Sequence, residues 1–302
     1  MERNYSIDSL KGGLLLLVIL GHILLGTVDE SFLRYVIYSF HMPLFVFMSG
    51  YLLNTPQIQK MSLSSLFIKY WNRMIKQWLL ALVVYSFIIS FPQDTTTSIL
   101  IIERICKPFY HLWYIPVLFV MILTIWLIGI IVKDKKQRVL IYVFLGLALC
   151  GLYNFKYDLL SYYRLHFFIF FFLGILSKEY QNMYYSQKST RLIMTCCGLS
   201  IITLLFIIGV TYKDFRIYFM TPFCSALCIW IMLPTILTDS FKSKSLGLIG
   251  RHSLEIYLWH VIPILILKRL INDIILYYSI SFLLLGLVLI VLTHIPIHQP
   301  QS

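Results

Sequence analysis

Lys11 and His22 stand eleven residues apart in IDSLKGGLLLLVILGH, with only Gly, Leu, Val and Ile between them. At ~100° per residue, a helix brings them back to within ~20° of one face, ~16 Å apart along its axis. A cation near one membrane surface and an imidazole deep in the bilayer then share a stripe that needs a polar interior to face. Histidine is the side chain best suited to proton transfer near neutral pH, and a charge or imidazole inside a span is costly unless paired or lining a cavity. A lone His22 would be as well explained by a hydrogen bond between helices; its partner Lys11 tilts the reading towards function.

Four further stretches carry candidate chemistry. In FHMPLFVFMSGYLL (Phe40–Leu53), His41 sits mid-span two residues before Pro43, which is expected to free backbone carbonyls and bend the helix there. Ser49 and Gly50 of the same stretch read as a close-packing site. In YWNRMIKQW (Tyr70–Trp78), Arg73 and Lys76 are three apart and are expected on one helix face. Such cations anchor helices and touch headgroups, and the same geometry suits the phosphates of a nucleotide-like cofactor. FYHLWYIP (Phe109–Pro116) reads as an interfacial aromatic belt, in which His111 needs another explanation; His111, Trp113 and Tyr114 together suit sugar stacking and hydrogen bonding. In GRHSLEIYLWH (Gly250–His260), Ser253 is expected to cap a helix and Glu255 to enter its first turn, where a carboxylate suits the dipole. Capping does not account for His260, which lies deeper.

These residues must be positioned by membrane helices. The chain of 302 residues is 59% hydrophobic, more apolar surface than a soluble domain of this size can hide. Its net charge of +12 comes from a chain only 13% charged, with the charges scattered between apolar runs, so the basic excess reads as a topology signal and not as a nucleic-acid surface. Runs long enough to cross a bilayer are expected ten times, at 10–28, 32–53, 74–92, 112–132, 138–154, 160–177, 191–211, 216–238, 250–270 and 274–296. Placing the N-terminus in the cytoplasm puts sixteen of the 25 Lys and Arg inside, which favours both termini there and an even span count. The expectation is an all-α integral membrane protein of about ten transmembrane helices, forming a single domain over 1–302. The first apolar run lacks a cleavage site and is expected to be retained. The six cysteines lie mostly in apolar runs without ligand-like pairing, so no metal site is expected. A Gly-rich nucleotide loop, a zinc signature and a nucleophile elbow are all missing from the sequence, which leaves His22, His41, His111 and His260 as the acid–base candidates.

Together, the K-x10-H pair (Lys11, His22), FHMPLF…SG (Phe40–Gly50), the basic pair (Arg73, Lys76), HLWY (His111–Tyr114) and SLEIYLWH (Ser253–His260) resemble the bacterial membrane acyltransferase-3 family. The likeness is greatest to its fucose-4-O-acetylase and polysaccharide O-acetyltransferase branch. The resemblance spans nearly the whole chain. It implies a multi-pass protein of the bacterial cytoplasmic membrane that moves an acyl group, typically acetyl, from cytoplasmic acetyl-CoA or another acyl-CoA to a hydroxyl of a cell-envelope glycan or exopolysaccharide. No metal is implied. Its partners would be membrane lipid, the glycan acceptor and polysaccharide biosynthesis or export machinery. Residue by residue, the resemblance makes His22 the catalytic base and assigns Lys11, Arg73 and Lys76 to acyl-CoA. His41, His111, Trp113, Tyr114, Glu255 and His260 would bind substrate or support His22. Lys76 departs from the family's second arginine and loses the planar fork for phosphate. A polysaccharide exporter or flippase and a proton-coupled transporter remain the alternatives, distinguished by whether the purified protein turns over acyl-CoA.

Overall fold

A computed structural model describes residues 4–28, 30–90, 111–154, 164–180 and 229–294. Every regular element among the described residues is helical. Contacts divide the chain into two units, residues 1–42 with 188–302, and residues 43–187. The spans expected at 191–211 and over most of 216–238 lie outside the described residues, as do Cys106, Cys196, Cys197, Cys224 and Cys228.

The first unit is organised by α1 (Tyr5–Ile23). This helix starts earlier and ends earlier than the run expected at 10–28, because specific groups stop it at each end. Asn4 caps the start, its side-chain oxygen accepting from the Ile7 amide at 3.0 Å. Beyond the end, Gly26 takes a left-handed φ of +81°. His22 therefore lies in the last turn of α1, not deep along a longer helix.

A loop at 238–243 is stitched to the start of α1. Ser6 donates its amide to Asp239 Oδ1 at 2.8 Å, and the Ser6 hydroxyl accepts from the Phe241 amide at 2.9 Å. Ser9 Oγ accepts from the Ser243 amide at 3.0 Å and returns a bond to the Ser243 carbonyl at 3.3 Å. Asp239 holds a φ of 46°, a left-handed geometry that aspartate tolerates better than most residues. The hydrogen bond from Lys242, then that from the Ser6 amide, hold its carboxyl below the ordinary aspartate range.

The chain expected to cross as one span at 250–270 is three helices. These three are α9 (Lys244–Arg251), α10 (Ser253–Trp259) and α11 (Val261–Leu270), and α12 (Ile274–His294) follows; α3 to α8 belong to residues 43–187. α9 packs closely against α1. Gly12 and Gly250 face each other so closely that a Cβ on Gly12 would strike the Leu246 carbonyl, and one on Gly250 would strike the Asp8 carbonyl. Ser253, expected to cap, is instead the first residue of α10. His252 occupies the cap position without a side-chain bond, and its carbonyl accepts from the Ile256 amide at 3.0 Å.

α2 (Phe32–Leu52) matches its expected span and runs unbroken through Pro43, passing from the first unit into the second. Residues 43–187 go on with α3 (Thr55–Gln59), α4 (Leu63–Tyr70), a π-helical turn at Trp71–Ile75, α5 (Lys76–Ser90), α6 (Tyr114–Ile131), α7 (Lys135–Asn154) and α8 (Phe168–Glu179). Gly50 of α2 and Gly174 of α8 again allow backbones to meet: a Cβ on either would strike the carbonyl of Phe171 or Phe47. Trp126 Nε1 donates to the Met61 carbonyl at 2.9 Å, and the Tyr142 and Phe172 rings stack at 5.1 Å.

Three helices among the described residues, Tyr5–Ile23, Phe32–Leu52 and Tyr114–Ile131, are long and apolar enough to cross a membrane. A shorter apolar stretch runs from Ile274 to Val288. Exposed Leu140, Phe144, Ile275 and Leu283 suit a surface solvated by lipid.

Two outcomes follow from the α1 contacts. Gly250→Ala should lower stability by about 1–3 kcal/mol through overpacking. Gly13→Ala, where a Cβ meets nothing within 4 Å, should cost nothing; thermal unfolding of the detergent-solubilised protein separates them. Asp239→Asn should weaken the protein near neutral pH. Because the folded carboxyl titrates below its unfolded value, its contribution is full above about pH 4 and disappears as pH falls through the lowered folded value. The gap between wild type and Asp239→Asn in unfolding midpoint should therefore close on acidification.

Candidate active site

The C-terminal end of α1 leaves backbone carbonyls without intrahelical partners, and side chains from three other elements satisfy them. Lys268 of α11 donates Nζ to the His22 carbonyl at 3.0 Å. Tyr277 of α12 donates its hydroxyl to the Ile23 carbonyl at 2.8 Å. Arg34 of α2 donates Nη1 to the Leu24 carbonyl at 3.1 Å and to the Gly26 carbonyl. The Leu25 amide completes the set by donating to the Tyr278 hydroxyl at 3.0 Å. Cations suit this position twice over, as donors and as partners of the negative end of the helix dipole.

His22 itself is half-buried, and its ring meets that of His260 at a centroid distance of 5.3 Å and a 55° tilt. His260, His41, Arg34 and Lys268 all lie close enough for their charges to act on the His22 ring. The two neighbouring imidazoles are fixed by their own backbones. His41 Nδ1 lies 2.6 Å from the Ile37 carbonyl, and His260 Nδ1 lies 2.9 Å from that of Tyr257. A ring nitrogen facing a carbonyl must carry the proton, so in each neutral ring Nε2 is the acceptor.

Tyr38 ties the α2 side together. Its ring packs edge-on against His41 at 4.9 Å, and the Arg34 guanidinium lies 5.2 Å from its centroid. Gly21 makes room for it, since a Cβ there would approach Tyr38 Cε2 to 2.9 Å. Arg34, Tyr38 and His41 fall at i, i+4 and i+7, one stripe of α2.

The structure thus brings together three of the sequence candidates, His22, His41 and His260. Sequence reading missed Arg34, Tyr38, Lys268, Tyr277, Tyr278 and Gly21. The stripe of α2 leading to His41 was a visible signal for Arg34 and Tyr38. Lys268 and the tyrosine pair gave none, because their role depends on where α11 and α12 meet α1.

Lys11 shares α1 with His22, as the spacing predicts, and is half-buried beside the Gly12 crossing. Glu255 is in the first turn of α10 and exposed. The remaining candidates belong to residues 43–187. Arg73 and Lys76 are both exposed, but Arg73 lies in the π-helical turn and Lys76 opens α5. A π turn holds more residues than an α turn, so their three-residue spacing does not give the single α-helical face expected. The HLWY stretch, expected as an interfacial belt, is interior instead: His111, Leu112, Trp113 and Tyr114 are all buried. Phe167 stacks on Trp113 at 5.6 Å, the Arg164 guanidinium lies 5.2 Å from the Trp113 ring centre, and Tyr85 packs edge-on to His111 at 5.5 Å. Trp78 Nε1 holds the Leu112 carbonyl at 2.9 Å, and the Ser49 and Tyr114 hydroxyls share a bond of 2.6 Å.

Residues 4–296 match Acyl_transf_3, an acyltransferase domain, and the chain belongs to that family. It is a membrane acyltransferase. No curated protein and no solved structure matches it.

Ser49→Ala and Tyr114→Phe should each lower stability by about 1 kcal/mol, the net value of a hydrogen bond. The double variant should lose less than the sum, since one bond is broken in both. Unfolding midpoints of the four proteins in detergent form the check.

Proposed function

We propose that the protein transfers an acyl group, acetyl by resemblance, from cytoplasmic acyl-CoA to a hydroxyl of a cell-envelope or exopolysaccharide glycan, with His22 as general base. The observation that carries this reading is His22 on the same unbroken helix as Lys11, its ring against His260, in a member of an acyltransferase family.

In the proposed step an imidazole nitrogen of His22 takes the proton of the acceptor hydroxyl while its oxygen attacks the thioester carbonyl. The new C–O bond forms, the C–S bond breaks, and the departing thiolate of CoA takes a proton back from His22. Lys11 lies ~16 Å along α1 from His22 by helical rise, a span suited to the extended pantetheine arm with its phosphates near the lysine. Arg73 and Lys76, both exposed, are proposed as further phosphate contacts. His41 and His260 are proposed to support His22, each presenting an Nε2 acceptor from a ring fixed by its backbone.

About ten spans with both termini in the cytoplasm of a bacterial inner membrane remain the proposed topology. Membrane lipid and polysaccharide biosynthesis or export machinery remain the proposed partners.

The deciding experiment expresses wild type, His22→Ala or Lys11→Ala in a deletion strain with membrane levels matched, and measures base-labile ester on envelope glycans. Wild type should restore the ester, and His22→Ala should slow its formation by about 10²–10⁴-fold, the usual contribution of a general base. Lys11→Ala should raise the acyl-CoA concentration needed. An unchanged ester in a correctly inserted His22→Ala protein would refute the role of His22. Failed glycan export with the ester intact would favour transport.

A further inference from the structure

Two cations stand at the His22 end of α1, and helix capping uses only part of them. Lys268 is exposed and commits one of its three ammonium hydrogens, to the His22 carbonyl. Arg34 commits Nη1 to two carbonyls and Nη2 to the Tyr38 hydroxyl at 3.4 Å, and its buried Nε–H has no hydrogen-bond partner among the described residues. Neither makes an ion pair among the described residues. Two carboxylates among the described residues accept from backbone amides instead. Glu30 accepts from the Thr27 amide at 2.7 Å, and Asp273 caps the Leu276 amide at 2.7 Å.

The two side chains feel each other's charge as well as acting on His22. The negative end of a helix dipole is worth about half a charge, so it offsets only a part of two full positive charges. Like charges gathered without an ion-pair partner among the described residues, beside a proton-transfer group, are unfavourable in the resting protein. They become favourable when an anion is delivered there.

We propose that the acceptor is an anion, and that Arg34 and Lys268 seat its phosphate or carboxylate beside His22. This rests on the reading of His22 as the base that acts on the acceptor hydroxyl. The arginine offers a planar fork and the lysine a mobile point charge, a combination suited to an oxyanion with several acceptor atoms. Holding the charged group on one side fixes which hydroxyl reaches the imidazole, so these two residues select the acceptor and its position of acylation.

The test uses the full chain in phosphatidylcholine nanodiscs at constant ionic strength, with inorganic pyrophosphate as probe. Diethyl pyrocarbonate labelling of His22 is followed by peptide mass spectrometry. Pyrophosphate at about ten times its dissociation constant should slow His22 labelling about tenfold. Arg34→Gln and Lys268→Gln should each lose most of that protection, Arg34→Lys and Lys268→Arg should keep it, and an Arg73→Gln, Lys76→Gln double variant should keep it too. Absence of protection in wild type, or undiminished protection in both glutamine variants, overturns the proposal. If the glutamine variants do not fold, wild type decides alone: trehalose at equal osmolality must not protect. Phosphatidylglycerol in the nanodisc replacing any effect of pyrophosphate would make this a lipid-headgroup seat and overturn the acceptor assignment. The two readings fail separately. Loss of the glycan ester in His22→Ala without anion protection removes only the anion seat, whereas protection with the ester retained in His22→Ala removes only the role of His22 as base.

Discussion

The last turn of α1 carries His22, and a helix end exposes carbonyls that must find donors. In a setting poor in water this requirement is strict, since an unsatisfied carbonyl there costs several kcal/mol. The chain answers it with Lys268, Tyr277 and Arg34, drawn from α11, α12 and α2. The consequence is functional as much as structural. Elements that satisfy the backbone at the end of α1 are thereby brought against the imidazole of His22, and His41 and His260 arrive on two of the chain segments that do so. A residue placed one turn earlier would have its carbonyl satisfied within the helix and would gather no such neighbours.

The other end of α1 is held by a different principle. Ser6, Ser9, Gly12 and Gly250 are small, and smallness lets the loop at 238–243 and α9 approach until backbone and hydroxyl groups bond directly. Small residues at helix crossings are the usual means of association where apolar burial gives no preference for one partner over lipid. Between a polar stitch at its start and cationic caps at its end, α1 is fixed at both ends. That rigidity is what a base needs if a small displacement of the reacting atoms is not to cost rate.

Residues 43–187 hold their motifs by packing. Gly50 and Gly174 allow α2 and α8 to touch, and the Ser49–Tyr114 hydroxyl pair satisfies a polar group of α2 and one of α6. HLWY, which composition alone would place in an aromatic belt, is interior because Trp78, Tyr85, Phe167 and Arg164 each engage one of its members. The π-helical turn at Trp71–Ile75 alters the direction in which Arg73 points relative to Lys76.

Much of this was legible in one dimension. Apolar content forced a helical membrane protein, since only a helix satisfies its own backbone within a single segment in lipid. The eleven-residue interval put Lys11 and His22 on one face, because helical period is a local property. Motif spacing along the whole chain carried the family. The interval 32–53 needed no correction, as an apolar run bounded by polar residues marks its own limits. What the sequence left open was every feature set by partners far away in the chain. The run at 250–270 is divided among three helices, and Gly250 in the first of them meets Asp8, more than two hundred residues earlier. Arg34 and Lys268 are two basic residues among 25, and only the folding of α2 and α11 against the end of α1 made them neighbours of His22. Periodicity and composition are written locally and survive in any sequence window, whereas the satisfaction of a helix end is a long-range bond that exists only once the chain has closed on itself.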